Sequence, residues 1–285
     1  MSINLSAAAQ QLFDDQVHHL FQDSGKLRGA VTVRNGVVAD VYNFRRMGKG
    51  LANQKPTQAD VTPMDVGHAL IPATLTNWNA PEYTDIFDAA EVNFDEQSEL
   101  AETIASAMGR RQDQLIIDAL DTLHANSGSY AGTVTAAVGG SDTNLNLAKV
   151  LRASNYLNDK GVPQSGRHIC CSASGLEAML DVTEVGSSDY NNVQALIHGQ
   201  LNYWMGFTWH VIESRDEGGL AIDGSDVRTH FAWHESAVGL AIGLDIRTEV
   251  NYVPQKTSWL CNGIFKAGAV VRDATGVVEI LSDET

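Results

Sequence analysis

The chain has 285 residues, of which 44% are hydrophobic and 19% charged, enough to bury one large core or two small ones and too apolar for a disordered protein. Its 19 Lys and Arg face 35 Asp and Glu, a net charge of −16. That balance disfavours a protein that grips duplex DNA by neutralising phosphates, but not one that surrounds nucleic acid without holding it.

Residues 3–24 read as a helical arm, with Leu5, Ala9, Leu12, Phe13, Val17, Leu20 and Phe21 on one stripe and Ser24-Gly25 as its end. The first lysine is Lys26, so no basic region marks a signal peptide, and no apolar run approaches a membrane span of about 18 residues. The expectation is a chain made and folded in the cytoplasm. Residues 29–43 read as extended around an Asn35-Gly36 turn, and 68–78 as a second extended run. Between them, 47–63 is polar and rich in breakers, which together suggests a protruding hairpin with a long tip, or else a disordered insertion. Arg45, Arg46, Lys49 and Lys55 lie between Val41 and Ala59 with no acid among them, leaving 15 cations against 35 acids elsewhere. A basic tip on an acidic body suggests contact with another copy; a solvated loop is the plainer alternative.

Residues 95–124 carry the clearest helical pattern, with Asn93 or Asp95 as caps and Leu100, Ile104, Met108, Leu115, Ala119 and Leu123 on one face. Gly109 is its weak point. Such a helix spans roughly 42 Å and suits a strut. A second helix is expected over 143–159, ended by Gly161-Val162-Pro163. After it come a strand at 168–171, a short helix around 176–180, the run Tyr190, Leu196, His198 and Gly199, and the stretch from Trp204 to Ser214. Residues 216–226 read as a loop. The C-terminal third is β-rich, with strands at 229–233, 248–253, 259–269 and 277–281 and a turn at 273–276; the apolar run 237–244 is ambiguous in type.

Catalytic constellations are scarce. Gly48-Lys49-Gly50 lacks the Ser or Thr, the spacing and the following helix of a phosphate loop. His230 and His234 share a strand face, and His234-Glu235 begins a zinc-protease pattern, but Val238 stands where the second His belongs. A metal-dependent hydrolase using His230 and His234 is therefore the lesser alternative, and His18-His19 diverge on their helix. Cys170, Cys171 and Cys261 are too few for a disulfide framework, and Cys170 reads as inert packing in a reducing compartment. No catalytic set, metal or cofactor is expected.

The order of elements, from arm through long hairpin, strut helix and compact α/β segment to returning strands, resembles the Hong Kong 97 fold of tailed-bacteriophage major capsid proteins. Gly109-Arg110-Arg111-Gln112-Asp113 is similar to their spine helices. The series Tyr190, Leu196, Gly199, Gly206-Phe207 is similar to their axial segment, and Gly268-Ala269-Val270-Val271-Arg272 with Gly276-Val277-Val278-Glu279-Ile280 to their close. The resemblance implies an α+β fold with an N-terminal arm at 1–28, an extended loop at 29–83, a peripheral domain at 84–140 holding the spine helix 95–124, an axial domain at 141–245 and peripheral return strands at 246–285. It implies a non-enzymatic shell protein of the virion that forms hexamers and pentamers in the host cytoplasm. Double-stranded DNA would be enclosed without sequence-specific binding, with scaffolding, portal and cement proteins as further partners and Arg45, Arg46, Lys49 and Lys55 as candidate inter-subunit contacts. An encapsulin-like compartment would use the same fold.

Overall fold

The computed structural model describes residues 24–86, 96–140, 143–181 and 203–284. The arm over 3–23, with His18 and His19, the caps Asn93 and Asp95, and the run from Tyr190 to Gly199 lie outside the described residues. In chain order the strands are β1 (Thr32–Arg34), β2 (Val41–Met47), β3 (His68–Thr74), β4 (Thr76–Asp85), β5 (Gly132–Val134), β6 (Arg167–Cys171), β7 (Tyr203–Trp204), β8 (Phe207–Val211), β9 (Val227–His234), β10 (Val238–Val253), β11 (Ser258–Val271) and β12 (Val277–Asp283). The helices are α1 (Glu96–Asp121), α2 (Leu147–Asp159) and α3 (Ala173–Leu180).

Two sheets and two helices make the body. One sheet has the order β1-β10-β11-β4, with β1 parallel to β10 and the other pairs antiparallel. Along β11, Cys261, Gly263, Phe265 and Ala267 alternate inward, and α1 lays Ile104, Met108, Ile116, Ile117 and Leu120 into the same core. Close approach needs a bare backbone at Gly263, where a Cβ would stand 2.3 Å from Ile104 Cγ2. At 26 residues, α1 is about 39 Å long.

The second sheet runs β5-β12-β9-β6-β8-β7. One face packs Ile169, Cys171, Ala232 and Ile280 against Val150, Ala153 and Leu157 of α2, while Cys170, Phe231 and Trp233 belong to the core of α1. The sheet thus separates the two cores. Helix α2 starts at Leu147, four residues later than the expected 143, because the Asn146 side chain accepts the Lys149 N–H at 2.9 Å and caps it there. Met205 (φ 54°) and Gly206 (φ 82°) form the two-residue left-handed turn that folds β7 onto β8.

Long-range pairing adds three facts that local pattern does not carry. Gly36 is left-handed, at φ 73°, but Asn35-Gly36 does not join a hairpin: β1 pairs with β10, and β2 pairs with β3 from Val41↔Thr74 to Met47↔His68. The ambiguous run 237–244 is the first half of β10, which continues through register shifts around Leu244 into the expected strand at 248–253. Finally, β11 and β12 lie in different sheets, β12 between β5 and β9.

Candidate assembly surface

The β2–β3 hairpin leaves the body on a small apolar foot. Phe44, Ile71, Ala73 and Leu75 pack on Ala241 and Val270. Gly239 has no side chain and the Phe44 ring occupies that space, 2.6 Å from where a Cβ would be. The Arg272 guanidinium lies over the same ring, 5.3 Å from its centre. Alternation along β2 then sorts the cations. Tyr42, Phe44 and Arg46 face the body, whereas Val41, Asn43, Arg45 and Met47 are exposed.

The four basic residues therefore divide. Arg46 donates to the Ser127 carbonyl and stands 3.7 Å from Asp273. Lys49 donates to the Lys160 carbonyl at 3.1 Å, a favourable place for a cation at the C-terminus of α2. Arg45 and Lys55 are exposed and have no hydrogen bond or ion pair among the described residues. Between Gly48 and Gly67, joined by a 2.8 Å backbone bond, the tip has no helix or strand. It exposes Leu51 (78%), Val61 (75%) and Met64 (50%), and Leu70 (54%) lies beside Arg45 on the open face. The hairpin thus exposes both apolar side chains and two cations, Arg45 and Lys55.

A second polar constellation lies inside. Asp113 on α1 accepts the N–H groups of Lys26 at 2.7 Å and Leu27 at 2.9 Å, and Arg215 stands 3.6 Å away with both side chains only 1% exposed. Burial pushes the Asp113 carboxyl up from its ordinary value, against the opposing pull of those N–H groups and Arg215. Arg215 also reaches Glu213 at 2.7 Å, and Arg110 pairs with Glu217 at 3.1 Å. Gln114 exchanges two hydrogen bonds with Gly219. The weak point of the helix has its reason here: Gly109 lets the Gly25 backbone cross α1, and a Cβ on Gly109 would stand 2.7 Å from the Gly25 nitrogen. Sequence reasoning singled out this stretch only by resemblance, since its partners lie about 90 and 100 positions away.

The hydrolase alternative does not assemble. His230 is fully buried with Nε2 2.5 Å from Ser282 Oγ and 3.8 Å from Glu284 Oε1; desolvation, with Arg228 and Lys149 nearby, pulls its pKa down to about 3. His234 instead accepts the Ser236 N–H at 3.1 Å. The two rings serve separate local structures, and the described residues contain no group of three or more His, Cys, Asp or Glu placed to hold a metal. The Cys170 thiol is buried and pushed up to about 12 by desolvation, which removes its nucleophilic form. No helix among the described residues is long and apolar enough to cross a membrane.

Comparison with known proteins agrees with this geometry. A model of the phage capsid protein family matches residues 5–284. The chain superposes on the head protein of Helicobacter pylori bacteriophage KHP40 with a TM-score of 0.75 at 11% identity, covering 100% of both chains. It matches the capsid of Cyanophage P-SCSP1u with a TM-score of 0.75 at 15% identity, over 99% of this chain and 95% of that one. Mycobacterium phage Che8 gives 0.69 at 16%, over 95% and 96%. At these identities the superpositions speak to the fold. No curated protein matches the sequence.

Proposed function

The chain belongs to the phage capsid protein family, whose members form the head shell of the virion, and from that premise we propose that Arg45 and Lys55 are the cations with which one copy grips the next. The observation that carries this is the division within the basic hairpin. Arg46 and Lys49 hold the hairpin to its own body, while Arg45, opposite Leu70, and Lys55 stand exposed on the hairpin that also exposes Leu51, Val61 and Met64. Opposite charge on an acidic neighbour would steer and register the contact.

Within the shell, α1 and the sheet β1-β10-β11-β4 take the peripheral role of the expected segment 84–140. The sheet β5-β12-β9-β6-β8-β7 with α2 and α3 takes the axial role of 141–245, and by its pairing β12 (within 246–285) joins it. Copies form hexamers and pentamers and close an icosahedral head in the host cytoplasm. The net charge of −16 supports double-stranded DNA being enclosed without adhesion. Scaffolding, portal and cement proteins are its further partners. The protein acts without catalysis, a reading supported by the sealed state of Ser282, His230 and Cys170.

The test is assembly of the full chain, with the phage's scaffold where required, followed by sedimentation and negative-stain microscopy. Arg45→Glu with Lys55→Glu should leave folded, unassembled protein, and wild-type assembly should weaken as salt rises. Normal shells from the double variant would end the assignment. Nucleic acid in shells from the native source fits a virus, whereas a protein cargo would favour an encapsulin-like compartment.

A further inference from the structure

The six-stranded sheet holds a titratable pair that shell building does not call for. His168 on β6 and His210 on β8 meet with Nδ1 and Nε2 3.1 Å apart. One nitrogen therefore carries the proton and the other accepts it. Both rings lie along Trp233 of β9, at 6.0 and 6.4 Å between centres and tilted by 29° and 22°. The indole N–H of Trp233 donates to the Ala30 carbonyl at 2.9 Å, and Lys26 Nζ donates to the Val211 carbonyl, next to His210, at 3.1 Å. Residues 26–30 are thus tied to the sheet on both sides of the imidazole pair, and to α1 through Asp113.

We propose that His168 and His210 form a two-proton acid switch that releases residues 26–30 from the six-stranded sheet. A first added proton gives an imidazolium that still donates to the neutral ring, so the link holds. A second leaves two cations at hydrogen-bond distance with no acceptor between them, and the link breaks. The surrounding charges order the two steps: Glu235 beside His168 favours its protonation more than His234 opposes it, while Lys26 faces His210 and resists the second proton. Burial lowers both pKa values, that of His210 to about 4, with the opposite ring and Lys26 adding to the effect. For a group depressed in this way, stability is present above the unfolded value of about 6.5 and is lost as pH falls through the folded value.

The experiment follows the imidazole C2–H resonances of the full-length chain, assigned with His168→Gln and His210→Gln. Two linked steps more than one unit apart are expected. Hydrogen exchange, with labelling times scaled to the intrinsic rate, should show residues 26–30 and 208–211 losing at least tenfold in protection across the lower step while α1 and α2 hold. His210→Gln keeps a neutral hydrogen-bonding group and Asp113, so it should retain that protection at pH 4. Lys26→Met should move the lower step upward. Two independent steps at the ordinary histidine value would overturn the switch. So would loss of protection in His210→Gln as in wild type, which would assign the release to Asp113. Should His210→Gln misfold, the wild-type steps and the Lys26→Met shift decide; an unmoved lower step counts against the switch.

Discussion

Two neighbouring pairs of arginines, Arg110-Arg111 on α1 and Arg45-Arg46 on β2, meet opposite fates. On the helix, successive side chains diverge by about 100°, and both arginines find partners on the same body: Arg110 reaches Glu217, and Arg111 lies 4.7 Å over the Trp78 ring. On the strand the divergence is 180°, so Arg46 turns to Ser127 and Asp273 while Arg45 turns out. A helical pair can be absorbed by a fold; a strand pair splits between inside and outside. The same residue type thus serves cohesion in one region and stays exposed in the other.

The largest effect that would break the contrast is at the inner region. Asp113→Ala removes the acceptor for two backbone N–H groups and leaves the 1%-exposed Arg215 with Glu213 and the Arg110 carbonyl. The expected cost is about 3–5 kcal/mol, the usual penalty for breaking a buried pair by removing one partner. Chemical denaturation of the unassembled chain measures it, and a cost below about 1 kcal/mol, ordinary for an exposed site, would show that the inner cluster is no more cohesive than the hairpin.

A smaller effect has an informative sign. In an open helix Gly109→Ala would gain roughly 1 kcal/mol from propensity. Here the new Cβ meets the backbone of Ser24 and Gly25, which is not a flexible side-chain end, so a loss of about 1–3 kcal/mol is expected instead. A gain in melting temperature would mean that the segment around Gly25 does not press on α1 in solution.

How much of this was legible depends on range. The strut helix and strands β9, β11 and β12 follow from periodicity in their own residues, and the basic hairpin from four cations in an acid-free stretch. The first half of β10 was ambiguous because Val238, Leu240, Ala241 and Ile242 are buried on both faces, which erases alternation. Gly36 takes the left-handed conformation its residue type favours, but Thr32 finds its partner at Gly239, a choice no local pattern encodes. The Asp113 cluster was hidden more deeply, since two of its donors are backbone N–H groups with no side-chain signature. On the hairpin, the extended run was legible only to residue 43, so the divergence of Arg45 and Arg46 was not; which of them faces the body depends on Phe44 seating against the bare backbone of Gly239.

The smallest expected effect sharpens the comparison most, because it is a difference between neighbours. Arg46→Ala loses a hydrogen bond from a charged donor to the Ser127 carbonyl and a 3.7 Å pair with Asp273 that is partly exposed on both sides. The net loss should be about 1–2 kcal/mol, nearly all from the hydrogen bond, since exposed ion pairs contribute little. Arg45→Ala removes no hydrogen bond or ion pair among the described residues of the same chain, so the stability of the unassembled protein should change by less than about 0.5 kcal/mol. Paired melts of the two variants test this, with protease cleavage in the tip as a second readout: Arg46→Ala should speed it by loosening the foot, and Arg45→Ala should not. Equal losses would mean that the hairpin lies flat against its own body, leaving Arg45 no free face to offer a neighbour.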